Sequence, residues 1–332
     1  MAVVWSDEVQ SVFAGDLVAA AAYLTPAGGA VVIPVSPIGL VNRVAGSVAI
    51  TTSLAFPRKL QRLSQEPRTA VAYHTRQHGF ATSSRFVLAQ GTAVIPDGPS
   101  PEHLALINEH ADKFFGETPT GPFWDWALRE YLEHRLVIDI PLSRVASWPL
   151  ARRSGASWTD TDGSTDASGP PEVSGTPWPL PPEPQEPPAK GTGPRVDTAK
   201  FARQAQKLPH QVLAFRGSDG FPVIAAVRVT GYSDRGLHVD AAPGVLPPGG
   251  RRSGFAAHAY RPQAAGVSCR IGTGWLEVTE GSAVWAPHTS GGFSSPPGKT
   301  FHLLGNGLLS KYLIAKMRRS GALDELTRQR AA

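Results

Sequence analysis

The sequence predicts a mainly β protein (α+β) with flanking helices, built from two similar units in tandem. Three observations carry that reading. Short apolar runs with β-branched residues or strict alternation recur throughout, as at residues 48–52, 69–73, 86–94 and 270–278. Residues 151–195 are rich in Ser, Gly, Thr and Pro, with ten prolines from Pro170 to Pro194, and divide the chain. The runs after that stretch repeat the order of the runs before it. A length of 332 residues also suits two domains, here 1–150 and 196–332.

The composition narrows the function. Hydrophobic residues make up 41%, enough for real cores, and charged residues only 18%. A net charge of +5 without a Lys/Arg run interleaved with aromatics excludes a nucleic-acid signature and suits an anionic cofactor or substrate. Cys269 is the one cysteine, so neither an internal disulfide nor a cysteine metal cluster can form. The start, MAVVWSDEVQ, has no basic region followed by an apolar core, and the apolar run at 17–24 is too short to span a bilayer. The expectation is a cytoplasmic protein with no membrane partner.

In chain order, residues 6–23 predict a helix capped by Ser6, with Asp7 and Glu8 in its first turn and Gly15 as a possible break. Residues 21–24 and 30–35 predict a hairpin, and 41–50 a weaker strand pair around Gly46. Residues 101–114 and 123–132 predict helices separated by a Pro/Gly break, and 135–140 a closing strand.

The stretch VAITTSLAFPRKLQRLSQEPRTAVAY, residues 48–73, organises the first half. It reads as strand, basic turn, short helix and strand. Thr51 and Thr52 end the first strand; Arg58 and Lys59 open the helix, where basic residues oppose the helix dipole unless an anion is present. Two hydroxyls and two cations at one end of a strand pair suit a phosphate.

Thr51-Thr52, Arg58-Lys59 and Glu66-Pro67-Arg68 resemble the pattern of the pyridoxamine 5'-phosphate oxidase-like superfamily, the flavin-binding split β-barrels. Val32-Ile33-Pro34-Val35 and Gln90-Gly91-Thr92-Ala93 match further strands of that family, and the likeness covers roughly the first 150 residues. Pro57 stands where the family usually has Ser. The resemblance implies two split β-barrels in tandem, a pseudo-dimer within one chain, working as a monomer or as a homodimer. It implies FMN as cofactor, with the deazaflavin coenzyme F-420 as alternative, and hydride transfer to a small-molecule substrate. Arg58 and Lys59 would hold the phosphate and Thr51 and Thr52 would donate hydroxyls. Two other readings stay open: a non-enzymatic protein sequestering flavin or a haem-related group, and a cofactor-free structural protein.

Residues 151–195 are expected to form a disordered, extended tether. In the second half, residues 212–215 and 221–227 parallel the first hairpin and 236–240 parallels 47–51. Arg251-Arg252 follows a Pro/Gly turn as Arg58-Lys59 does, and is the second candidate phosphate site. There Asp240-Ala241 replaces Thr51-Thr52, which points to an altered site.

Other patterns carry less. GFSSPPGKT at 292–300 has the wrong spacing for a phosphate loop and prolines where amides are needed. His74 and His78 read as polar surface, His258 and His288 as packing or hydrogen-bonding residues, and Trp275 and Trp285 as core. Residues 310–321 predict a basic packing helix.

Overall fold

In the computed structural model, residues 2–150, 152–154, 157–159, 170–296 and 298–321 are described. The first half contains α1 (Asp7–Gly15), β1 (Ala19–Leu24), β2 (Ala30–Val35), β3 (Val41–Asn42), β4 (Ser47–Ser53), α2 (Pro57–Gln65), β5 (Arg68–Tyr73), β6 (Arg85–Thr92), α3 (Pro101–Phe115), α4 (Pro122–Glu133) and β7 (Arg135–Pro149). A small hairpin, β8 (Arg152–Ser154) and β9 (Ser157–Thr159), and the short β10 (Glu172–Gly175) follow. The second half contains α5 (Thr198–Gln206), β11 (His210–Arg216), β12 (Pro222–Ala226), β13 (Arg228–Ser233), β14 (Gly236–Asp240), β15 (Gly249–Ala259), β16 (Ser268–Thr279), β17 (Ser282–Pro287), β18 (Gly291–Ser294) and α6 (Lys299–Arg319).

The two halves have one topology. The first sheet runs β2-β1-β5-β6-β7-β4-β3 and the second β12-β11-β15-β16-β17-β14-β13. The registers correspond, apart from a bulge at Gln90/Gly91 in the first sheet and one at Val229/Gly231 in the second. Tyr23, Thr69, Gly91 and Leu142 stand opposite one another in successive strands, and so do Phe215, Ser253, Gly274 and Pro287. Gly91 and Gly274 also share a packing constraint. A Cβ at Gly91 would lie 2.2 Å from the Pro141 carbonyl, and one at Gly274 2.1 Å from the Ala286 carbonyl. The chain is two split β-barrels in tandem.

Strand β1, AAAAYL, shows why the barrels pair. Every residue in it is buried. Ala19, Ala21 and Tyr23 face the core of the first barrel, with Val71 and Tyr73 of β5. Ala20, Ala22 and Leu24 face the other way, into a second apolar cluster with Val32, Ala70 and Ala72. Equivalent residues of the other barrel, Val212, Ala214, Ile224 and Ala256, complete that cluster. Strands buried on both faces need small or β-branched side chains, and alanine lets the sheets approach closely. The seam makes the chain a pseudo-dimer. The third cluster, around Phe201, Phe255, Leu276 and Trp285, is the core of the second barrel.

Several local expectations change. The helix expected over residues 6–23 starts as read, with the Ser6 hydroxyl accepting from the Val9 amide, and ends at Gly15. The loop at 79–81 crosses there so closely that a Cβ on Gly15 would stand 2.3 Å from the Ala81 nitrogen. The closing strand extends from Arg135 to Pro149 and pairs with both β4 and β6. In the second barrel α2 has no counterpart, and the long helical excursion α3–α4 is replaced by the tight turn between β16 and β17. Helix α6 returns to the first half: its Ile314 joins the first barrel's core, and its Gly307 abuts Ala127 of α4.

The expected tether takes a different form over residues 170–195; residues 155–156 and 160–169 lie outside the described part. Strand β10 adds to β7. Trp178 packs edge-on to Trp148, and the buried Arg144 lies over its ring while donating to Gln90 and Asp219. Further on, the Gln185 amide donates to the Gly250 carbonyl and the Arg195 amide to that of Pro287. The strap's own apolar surface is small, as its composition says. Order comes from aromatic and guanidinium surface that the barrels supply.

Candidate functional site

Strand β4, helix α2 and the start of β7 bring a cationic cluster together in the first barrel. Thr51, Thr52 and Ser53 pair with Val137, Leu136 and Arg135. Pro57 fixes the first turn of α2, which has no side-chain cap and no acid in its first turn. Pro57 has no N–H and the Lys59 amide donates to the Phe56 carbonyl at 3.2 Å, so the side chains around the helix start, more than its amides, make the site.

The four expected residues behave differently. Thr51 accepts from the Arg135 guanidinium at 2.5 Å. Thr52 is buried, and its hydroxyl has no hydrogen-bond partner among the described residues. Lys59 is half-buried. Desolvation first, and the like charge of Arg135 second, push its ammonium down to about 8. Arg58 is exposed at the helix start.

Arg135 is the site residue that sequence reading missed. It donates to the Tyr131 hydroxyl at 2.9 Å, lies over the Tyr131 ring, and keeps a buried Nε without a partner. The cluster thus holds two crowded cations and two unsatisfied groups able to donate, the Thr52 hydroxyl and Arg135 Nε–H. Groups of this kind fit an anion with several acceptor oxygens.

No protein-family model matches the chain. No curated protein matches it in sequence. Solved structures do match. A conserved hypothetical protein of Mycobacterium tuberculosis is 19% identical, with a TM-score of 0.34, over 46% of this chain and 95% of its own. A pyridoxamine 5'-phosphate oxidase-related, FMN-binding protein of Nostoc punctiforme is 10% identical, with a TM-score of 0.28, over 43% and 84%. A protein described as an F420 reductase is 13% identical, with a TM-score of 0.29, over 41% and 94%. Each of these neighbours spans about half of the chain, the length of one barrel.

The second split barrel does not repeat the cluster. Val48 pairs with Ile140 as Leu237 pairs with Trp285. Counting from these pairs, Asp240 stands at the position of Thr51 and Glu280 at that of Arg135. Two acids thus replace a hydroxyl and a cation, and α2 is missing. The expected residues Arg251 and Arg252 are not brought to this place. Their register matches Pro67-Arg68, not Arg58-Lys59, because Ser253 is the equivalent of Thr69. Arg251 is buried, lies over Phe215, and donates to the carbonyls of Pro182, Pro247 and Pro248. The Arg252 amide donates to the Gln185 side chain and its guanidinium to the Glu186 carbonyl. The strap has taken the hydrogen bonds a phosphate would need.

A histidine cluster sits in the seam: His74, expected at the polar surface, is buried there, and His258, expected to pack or hydrogen-bond, meets it. His74 and His258 each lie five residues beyond the equivalent pair Thr69 and Ser253, and they meet with Nε2 to Nε2 at 3.0 Å. His74 Nδ1 lies 3.1 Å from the Ala72 carbonyl, which can only accept. The proton is therefore on Nδ1 of His74, and His258 donates its Nε2–H to His74 Nε2. Burial, then the nearby His210, pushes His74 down to about 3. Burial, then His78, takes His210 to about 4, and His258 is lowered strongly by burial, then His74 and His210. Nearby, Asp16 pairs with Arg76 and is pushed up to about 6, chiefly by burial, against the opposing effect of Arg76. Among the described residues no group of three or more His, Cys, Asp or Glu is placed to hold a metal ion, and no helix is long and apolar enough to cross a membrane.

Proposed function

We propose that the protein binds FMN through its first barrel and works as an oxidoreductase on a small molecule. The observation that carries this reading is the cluster of Lys59, Arg135, Thr51 and Thr52, with its depressed ammonium and unsatisfied donors. A phosphate dianion there would receive the Thr52 hydroxyl, the Arg135 Nε–H and the Lys59 ammonium. Arg58 adds long-range attraction from the surface. FMN, when bound, supplies the hydride chemistry, and the chain supplies position and electrostatics. This fits the lack of a nucleophile–base pair in the cluster. The single cysteine, Cys269, suits work in a reducing cytoplasm.

The test is titration of the full chain with FMN and, in parallel, with coenzyme F-420, followed by fluorescence. The expected result is tight binding of one FMN per chain, because acids replace the phosphate ligands in the second barrel. Anaerobic addition of a reduced nicotinamide or another hydride donor should then bleach the bound flavin. Tight binding of F-420 with weak binding of FMN would move the reading to the deazaflavin. Two equivalents of FMN, or none, would contradict it.

A further inference from the structure

A cavity of about 320 Å³ opens where the first strands of the two barrels end. Its walls come from both halves. Leu24 and Pro26 belong to β1 and the turn after it, Arg62 and Glu66 to α2 and its C-terminal cap, and Arg216 to the last position of β11. Arg62 follows Arg58 by one turn of α2, away from the phosphate cluster, and lies beside the Tyr23 hydroxyl. Ala214 of β11 belongs to the seam cluster, and Arg216, two residues on, shares its face. Phe215 pairs with Ser253, so the next position sets Arg216 beside Arg252 of β15. Like charges directly opposite one another on neighbouring strands repel.

The acids nearby are already engaged. Glu66 gives both carboxylate oxygens to Arg68, at 2.7 Å each. Asp219, which also acts on Arg68, accepts from Arg144 at 2.6 Å. Arg252 turns its guanidinium to the carbonyl of Glu186, an exposed residue of the strap. Arg216 is exposed, and its guanidinium has no hydrogen-bond partner among the described residues; it acts on Glu66 through charge alone. On the walls themselves two guanidiniums therefore meet one carboxylate, and a third guanidinium holds that carboxylate. Two guanidinium forks beside an apolar wall are complementary to a small molecule with one anionic end.

We propose that this cavity is a second anion site, separate from the phosphate cluster. It takes the carboxylate or phosphate group of a small organic molecule between Arg62 and Arg216, and the apolar part of that molecule against Leu24 and Pro26. The site needs both barrels, since its two cations come from different halves. It does not depend on the flavin reading, because none of its residues belongs to the cluster of Lys59 and Arg135.

Calorimetric titration of the full chain with benzoate, phenyl phosphate and inorganic phosphate tests this, in the wild type and in Lys59→Ala/Arg135→Ala. The double substitution removes the phosphate cluster and should leave one site per chain for an aryl anion. The tighter of benzoate and phenyl phosphate then tells which anionic group the cavity prefers, and phenyl phosphate should bind more tightly than inorganic phosphate. Arg62→Gln with Arg216→Gln should raise the dissociation constant of the tighter aryl anion at least ~10-fold, with unchanged far-UV circular dichroism. Arg216→Gln alone, at an exposed position, should give part of that effect, which keeps the test valid if the double variant fails to fold. No saturable binding of either aryl anion overturns the proposal. So does binding that is lost with Lys59 and Arg135 and indifferent to Arg62 and Arg216.

Discussion

Replacing Lys59 and Arg135 together by alanine is expected to weaken FMN binding about a hundredfold or more. Charge-assisted hydrogen bonds contribute roughly 1.5–3 kcal/mol each, so losing two costs about 3–6 kcal/mol. Arg58→Ala should cost less, because Arg58 is exposed and solvent screens it. The same residues make a pH prediction. Without ligand the Lys59 ammonium titrates at about 8, because it is desolvated beside Arg135. A bound dianion raises that value, so binding takes up a proton above pH 8. Affinity should hold up to about pH 8 and then fall by up to about tenfold per pH unit. On the acid side it weakens below about pH 6, where the phosphate dianion takes up a proton and becomes a monoanion. Calorimetric titration across this range measures both limbs. Lys59→Met should lose affinity while leaving the ligand-free protein as stable or more so, since it removes a crowded cation.

The second large effect is acid sensitivity of the barrel seam. His74, His210 and His258 all have folded pKa values below the usual histidine value. The unfolded chain therefore takes up protons below about pH 6.5 that the folded chain refuses, and stability falls with falling pH. Each such histidine gives a slope of up to about 1.4 kcal/mol per pH unit until its folded pKa is reached. For His74 that continues to about 3. Asp16 acts in the opposite sense between about 4 and 6, because its folded pKa is raised to about 6. One acid offsets one histidine and leaves a net loss. Arg76, Tyr260 and His78 also face the cluster, and of these the Arg76 charge further disfavours an imidazolium on His74. Urea unfolding at pH 7 and pH 5 should show a drop of a few kcal/mol. His74→Phe with His258→Phe should flatten that dependence even if it lowers stability at pH 7. An unchanged pH profile in this variant would show that the pair is not its source.

Much of the architecture was legible because it follows from alternation and turn chemistry. Strand β5 reads from TAVAY, and α2 from a proline at its first position and two leucines one turn apart. The repeat was legible as an order of runs, but not its register. Arg251-Arg252 resembled Arg58-Lys59 because both follow a proline turn. Only the pairing of β15 with β11 shows that they occupy the place of Pro67-Arg68. Ala19 and Ala20 carry no strand signal in the sequence, because alanine has no β preference of its own; burial on both faces selects it. Arg135 was invisible for another reason. Its role depends on β4 lying beside β7, a contact between distant residues that no local pattern encodes. The composition of the strap points to disorder because it describes the strap's own surface and not that of the barrels it lies on.

The central claim is that the first barrel holds the phosphate of a flavin. The most direct measurement is a paired titration of the full chain with FMN and riboflavin, which differ only in that phosphate. The account predicts that FMN binds at least about a hundredfold more tightly, and that the gap closes in Lys59→Ala/Arg135→Ala. Equal affinity for the two ligands in the wild type, or a gap that survives the double substitution, would contradict it.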